Sequence, residues 1–275
     1  VYLYPAIVTL VFSFSRVNVR TFSVEEITGL QHYLTLFRDP ALRVIALRTV
    51  YFGGMIALIS TSLALPIALL LNQHFWGRGV IRVVVFLPWA VPPVVSGVLW
   101  GQMFHAEHGF INGLIRNLGG SGDIIWLGNS SLALHAIIVA EVWRSIPLAT
   151  LFLLAALQTL PDSVYEAAAI DGANPWQSFR HITVPLILPV LVPVITFQFI
   201  WAMKIFDIIF VLTRGGPAMS TTTLNYLVYQ QAFQFFRFDQ AAATAYVLTL
   251  LTLLVIMLLG YLHWRRSLRA GEVQT

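Results

Sequence analysis

A chain of 275 residues that is 58% hydrophobic and only 10% charged, with a mean hydropathy of +0.79, cannot cover a soluble core with polar surface. It has no cysteine, which excludes disulfides, thiolate metal sites and thiol nucleophiles. Its formal charge of +4 rests on scattered arginines, which is not the footprint of a nucleic-acid binder.

The apolar residues fall in blocks, as expected where lipid is the solvent, and a helix needs about 20 such residues to span a bilayer core. Six spans are predicted, over residues 1–14, 49–71, 80–104, 132–157, 186–212 and 241–264. The first block is short and lacks an initiating methionine, so the chain is expected to begin partway through its first helix. A signal peptide is the alternative, but no basic leader or small-residue cleavage site is present. Barrel strands would be about ten residues long and alternate in polarity, which these blocks do not. The predicted fold class is therefore an all-α membrane protein, a six-helix transmembrane bundle.

The connections over 15–48, 105–131 and 213–240 are predicted on one side of the membrane. Those over 72–79 and 161–185, with the tail 265–275, are predicted on the other. Arginine near helix ends favours the cytoplasm. Here Arg78, Arg82, Arg265, Arg266 and Arg269 oppose Arg16, Arg20, Arg38, Arg43, Arg48, Arg116, Arg214 and Arg237, so charge alone leaves the orientation open.

Between the fourth and fifth spans the chain reads as two short helices at an angle. Ser163 and Glu166 have the spacing of a capping box, which predicts a helix start near Val164. Gly172 can take the left-handed conformation that ends a helix. Asn174 before Pro175 supplies an N-cap with proline at the first helical position, predicting a second helix to about His181. On these grounds alone the pair is either a plain connection or a docking element.

Glu166-Ala167-Ala168, Asp171-Gly172-Ala173, Phe179, Ile182 and Pro185 together resemble the EAA loop of permease subunits of binding-protein-dependent ABC importers. One position departs mildly, Val184 standing where leucine is usual. Segments 86–95, 109–112, 143–147, 153–158 and 206–207 with 212–217 are similar, in order and spacing, to the carbohydrate branch of that family. The resemblance implies a bundle of the type I ABC importer kind, residues 1–48 carrying the first helix and an external loop and residues 49–264 forming the core permease domain. It also implies a cytoplasmic coupling loop at 160–185 and a cytoplasmic tail at 265–275, with Glu166, Ala167, Ala168, Asp171, Gly172 and Ala173 seated in a cleft of the ATPase. The implied partners are a second, non-identical permease subunit, two ATP-binding subunits and an external substrate-binding protein or lipoprotein. The implied location is the cytoplasmic membrane of a bacterium or archaeon, and the implied cargo is a sugar or sugar derivative.

No P-loop is present, since that motif needs a lysine after its glycines and the only lysine is Lys204, within a span. ATP and Mg are thus expected on partner subunits, with no cofactor or metal in this chain and no enzymatic activity. His105 and His108 read as a solvated pair at a helix end rather than a zinc site.

Ionisable side chains inside spans are costly and tend to face the bundle interior or a watery cavity. Glu141 and Arg144 share a helix face, and Lys204 and Asp207 repeat this spacing toward the outer end of the fifth span. Each pair either fixes helix packing or lines a substrate path. Sugar recognition needs hydrogen-bonding amides and aromatic faces. Gln198 and Trp201 on the fifth span meet that demand, with Trp89, Trp100 and Gln102 on the third, although tryptophans also populate interfacial belts. Pro88, Pro92 and Pro93 are expected to break the third helix and open it toward a cavity. Two further functions compete: an ion-gradient-driven secondary transporter, which would be expected to show an internal repeat that this chain lacks, and an intramembrane enzyme, for which no catalytic cluster is seen.

Overall fold

The computed structural model describes the backbone of residues 3–271, and within the last helix the side chains to 261 with those of Trp264 and Arg265. The extreme tail and the side chains of His263, Arg266 and Arg269 lie outside the described residues. The elements run α1 Leu3–Ser13, β1 Ser15–Val17, β2 Val24–Ile27, α2 Gln31–Arg38, α3 Pro40–Asn72, α4 Arg78–Ala90, α5 Pro93–Met103, α6 Phe110–Asn117 and α7 Ala133–Leu157. They continue with α8 Asp162–Ile170, α9 Pro175–Ser178, a π-turn Phe179–Thr183, α10 Val184–Met203, α11 Asp207–Leu212, α12 Leu224–Tyr229, a second π-turn Gln230–Gln234 and α13 Phe238–Gly271.

Apolarity locates the spans but not their ends. Helix α3 begins at Pro40, well before the predicted block, because the Asp39 carboxylate accepts from the Ala41 amide and Pro40 is pre-set for the first turn. Four helices are long and apolar enough to cross a membrane, Pro40–Asn72, Ala133–Leu157, Pro175–Met203 and Phe238–Tyr261. The predicted third span is broken as its prolines require: α4 and α5 meet at 99°, forming a fifth crossing or a re-entrant element. Helix α1, at 11 residues, is shorter than a full crossing. The six expected spans are therefore four helices, one bent pair and one short helix among the described residues.

The fold is all-α as expected, apart from one short ribbon in which β1 and β2 pair antiparallel, Ser15 opposite Ile27. Two further expectations are corrected. The fifth span does not reach Leu212: α10 stops at Met203, the carbonyl of Lys204 accepts from Asn225 Nδ2 at 2.6 Å, and the chain turns before α11. The second loop helix does not stop near His181. The π-turn shifts the hydrogen-bond ladder by one residue, Val184 donating to the Phe179 carbonyl, just before Pro185, which has no amide proton to donate. The helix thus passes Pro185 without a break.

Packing relies on small residues, as helices in lipid require where no hydrophobic drive exists between them. Ala57, Ser60, Thr61, Ala64 and Ala68 of α3 are buried, and α7 buries Ala136, Ala140 and Ala149 in the two main core clusters. At Gly53 an added Cβ would lie 3.1 Å from the Phe199 ring and 3.2 Å from Met203 Sδ, so glycine lets α10 come close to α3. Helix α13 packs against α10, its Leu248, Leu251 and Val255 joining one cluster with Phe199 and Met203.

This arrangement sorts the connections onto two ends. At one, Arg48 donates to the carbonyls of Met219 and Thr222, and the buried Thr49 hydroxyl accepts from the Leu224 amide at 2.9 Å. His32 and Asp239 also approach there, at 3.8 Å. At the other end lie the last turns of α3 and α7 with the helical pair between residues 162 and 183.

Candidate functional site

The loop between α7 and α10 is a rigid corner. Helix α8 ends in a Schellman motif: Ala173 donates to the Ala168 carbonyl at 2.9 Å and Gly172 to the Ala169 carbonyl at 3.1 Å, with Gly172 at φ +79°. Nothing lies within 4 Å of the place a Gly172 Cβ would occupy, so the requirement for glycine is one of backbone conformation and not of space. Asn174 and Gln177 then form a reciprocal capping box, each side chain accepting from the other's amide at 2.8 and 2.9 Å. The Tyr165 and Thr183 hydroxyls, 3.0 Å apart, tie α8 to the π-turn. The capping box expected of Ser163 and Glu166 is not formed. The helix starts two residues earlier, at Asp162 behind Pro161, which places Ser163 inside the first turn and leaves Glu166 out of any cap.

Of the motif residues, Glu166, Ala167, Asp171 and Gly172 are exposed, Ala173 is half-buried and Ala168 is buried as the foot on which the corner stands. Beside them runs a groove of about 870 Å³, whose lining includes Leu69, Asn72, Gln73, Tyr165, Glu166 and Trp176. Ile170 and Trp176 project at 86% and 66% exposure. Asn72, Gln73, Tyr165 and Trp176 were not foreseen as site residues. Only the exposed tryptophan carries a signal in the sequence, a large aromatic one residue into a capped helix.

The other cluster lies within the spans. Arg144 grips Glu141 through two bonds, Nη2 to Oε1 at 2.6 Å and Nε to Oε2 at 3.2 Å, with the Ser145 hydroxyl donating to Oε1 at 3.4 Å. Glu141 is wholly buried and Arg144 nearly so. The pair edges a cavity of about 140 Å³ that also meets Pro93, Trp201, Lys204, Ile205, Asp207 and Ile208. Lys204 and Asp207 reach it from the end of α10 and the start of α11 rather than from one continuous helix face.

The expected sugar-binding set separates. Gln198 is 3% exposed and spends both amide protons on helix packing, donating to Ser60 Oγ at 3.2 Å and to the Ser145 carbonyl at 3.0 Å. Trp201, 46% exposed, lines the charged cavity. Trp89 and Gln102 are exposed on α4 and α5 without joining it. Trp100 is buried, stacked on Phe104 and edge-on to Trp143, and belongs to the core. His105 and His108 stack at 3.5 Å, and no group of three metal-ligating side chains occurs among the described residues.

Residues 60–270 match the family described as the binding-protein-dependent transport system inner membrane component. The trehalose/maltose transport system permease protein MalF of Thermococcus litoralis is 41% identical over 201 residues, 73% of this chain and 68% of that protein. The sulfoquinovosyl glycerol transport system permease protein SmoG of Agrobacterium fabrum is 34% identical over 249 residues, 89% of this chain and 79% of that one. Among solved structures, a bacterial alginate ABC transporter in complex with alginate pentasaccharide-bound periplasmic protein has a chain of the same fold, with a TM-score of 0.82 at 20% identity, covering 97% of this chain and 90% of that one.

Proposed function

The chain belongs to the family of binding-protein-dependent transport system inner membrane components, and on that premise we propose that it forms half of the translocation pathway of an ATP-driven importer for a sugar or sugar derivative. It is a multi-pass membrane protein. The other half of the pathway is a second, non-identical permease. Two ATP-binding subunits hold ATP and Mg, and an external binding protein delivers the cargo. This chain carries out no catalysis; its work is mechanical. Family membership leaves the secondary-transporter alternative without support. The sugar class rests on the relatives whose names specify trehalose/maltose and sulfoquinovosyl glycerol transport.

One observation carries the mechanism. The corner at Gly172 leads through α9 and the π-turn into α10 as a single helix from Pro175 to Met203, 29 residues and roughly 44 Å at 1.5 Å per residue. A push on Glu166, Ala167 and the groove beside them therefore travels along one continuous helix to Trp201 and Lys204, which border the charged cavity. ATPase closure would move the loop, and the loop would rock the span. In this reading the loop, the tail and the ends of α3 and α7 are cytoplasmic, in the cytoplasmic membrane of a bacterium or archaeon.

Reconstituted with its partners, the Glu166→Ala and Gly172→Pro variants are expected to hydrolyse ATP while losing most uptake. Full uptake by both refutes the coupling role. Orientation has its own test. The chain has no cysteine, so Trp76→Cys, in the exposed link after α3, supplies a single thiol on this subunit, expected to react with an impermeant reagent only from the cytoplasmic side.

A further inference from the structure

Four ionisable side chains meet at the cavity beside Pro93, and only two of them neutralise each other. Glu141 and Arg144 form a closed bidentate pair. Lys204 and Asp207 are exposed and make no ion pair or side-chain hydrogen bond among the described residues, so their charges stay available to whatever enters. With two cations and two anions the lining sums to zero. Charges beside membrane-spanning helices are expensive where lipid covers them and persist where they face water or a solute.

We propose that this balanced tetrad is a charge-selecting element, with Lys204 and Asp207 as specificity-determining residues. It admits uncharged, polyhydroxylated solutes and holds back anions and cations alike. The proposal rests on the reading above that this chain lines a pathway.

The chemistry follows from the donors and acceptors present. A sugar hydroxyl both donates and accepts, so one ring can donate to the Asp207 carboxylate and accept from the Lys204 ammonium without bringing a charge of its own. The Trp201 ring beside them offers a flat apolar face to the C–H side of such a ring. A phosphate, sulfonate or carboxylate would gain at Lys204 what it loses at Asp207, and the wall would not repay the water it must shed. A cation meets the same cancellation with signs reversed.

The test uses a reporter thiol on the cavity wall. Trp201→Cys is placed in the assembled complex in liposomes, the other subunits being cysteine-free. Its reaction with anionic ethylsulfonate and cationic trimethylammonium-ethyl methanethiosulfonates is compared, each rate normalised to that reagent's rate with free 2-mercaptoethanol. In the balanced background the two normalised rates are expected to agree within about threefold. Asp207→Asn should raise the anionic-to-cationic ratio by about tenfold and Lys204→Gln should lower it by about as much, the scale set by one unit charge removed a few ångströms away. A ratio that neither substitution moves, or a Trp201→Cys thiol that neither reagent reaches, overturns the proposal. ATP-dependent uptake by the complex carrying the unsubstituted chain is measured separately. If that uptake is absent while the ratios shift as expected, the permease reading fails and the charge balance stands.

Discussion

Replacing Gly172 with alanine isolates a backbone effect from a packing effect. The residue sits at φ +79° with no neighbour near the new Cβ, so alanine brings no clash and removes no contact. What remains is the cost of holding an L-residue in the left-handed region, about 1–2 kcal/mol. That cost falls on the Schellman bonds from Gly172 and Ala173 to the carbonyls of Ala169 and Ala168. Local opening should become more frequent by about 5–30-fold, at 1.4 kcal/mol per factor of ten. Hydrogen exchange of peptides spanning residues 168–175, followed by mass spectrometry, reads this directly. Asparagine, which enters the left-handed region more readily, should fall between glycine and alanine. The uptake-to-hydrolysis ratio should decline in the same order. Equal exchange in the glycine, asparagine and alanine proteins would refute the claim that this φ fixes the corner.

Other perturbations separate the remaining interactions. Glu141→Gln or Arg144→Met alone should destabilise the complex by about 3–5 kcal/mol, read as a drop in thermal midpoint, because each leaves an uncompensated buried charge. The double replacement should recover most of that loss. Arg48→Ala should free the segment 213–223 from α3 by removing its bonds to Met219 and Thr222, each worth about 1.5–3 kcal/mol, and show as faster proteolysis there. Gly97→Ala would set a methyl 2.9 Å from Val211 Cβ and Cγ1, costing about 1–3 kcal/mol where α5 meets α11; Val211→Ala in the same chain should relieve it.

The lipid-facing character of the chain, the positions of its main apolar blocks, the break near Pro92 and the corner at Gly172 were all legible in the order of residues. Each is set by local chemistry: hydropathy, a missing amide proton, a glycine that permits positive φ. The ends of helices were less legible, because polar residues join a helix when a cap or a distant partner satisfies the backbone. Asp39 does this locally for α3, whereas Asn225 does it for the carbonyl of Lys204 from 21 residues away. Glu141 and Arg144 could be paired by their spacing. That Lys204 and Asp207 would join them, and that Gln198 would turn inward to bind α3 and α7 while Trp201 stayed open, depended on how three helices pack. Periodicity tells which residues share a helix face, but only the neighbouring helices determine whether that face meets protein, lipid or a cavity.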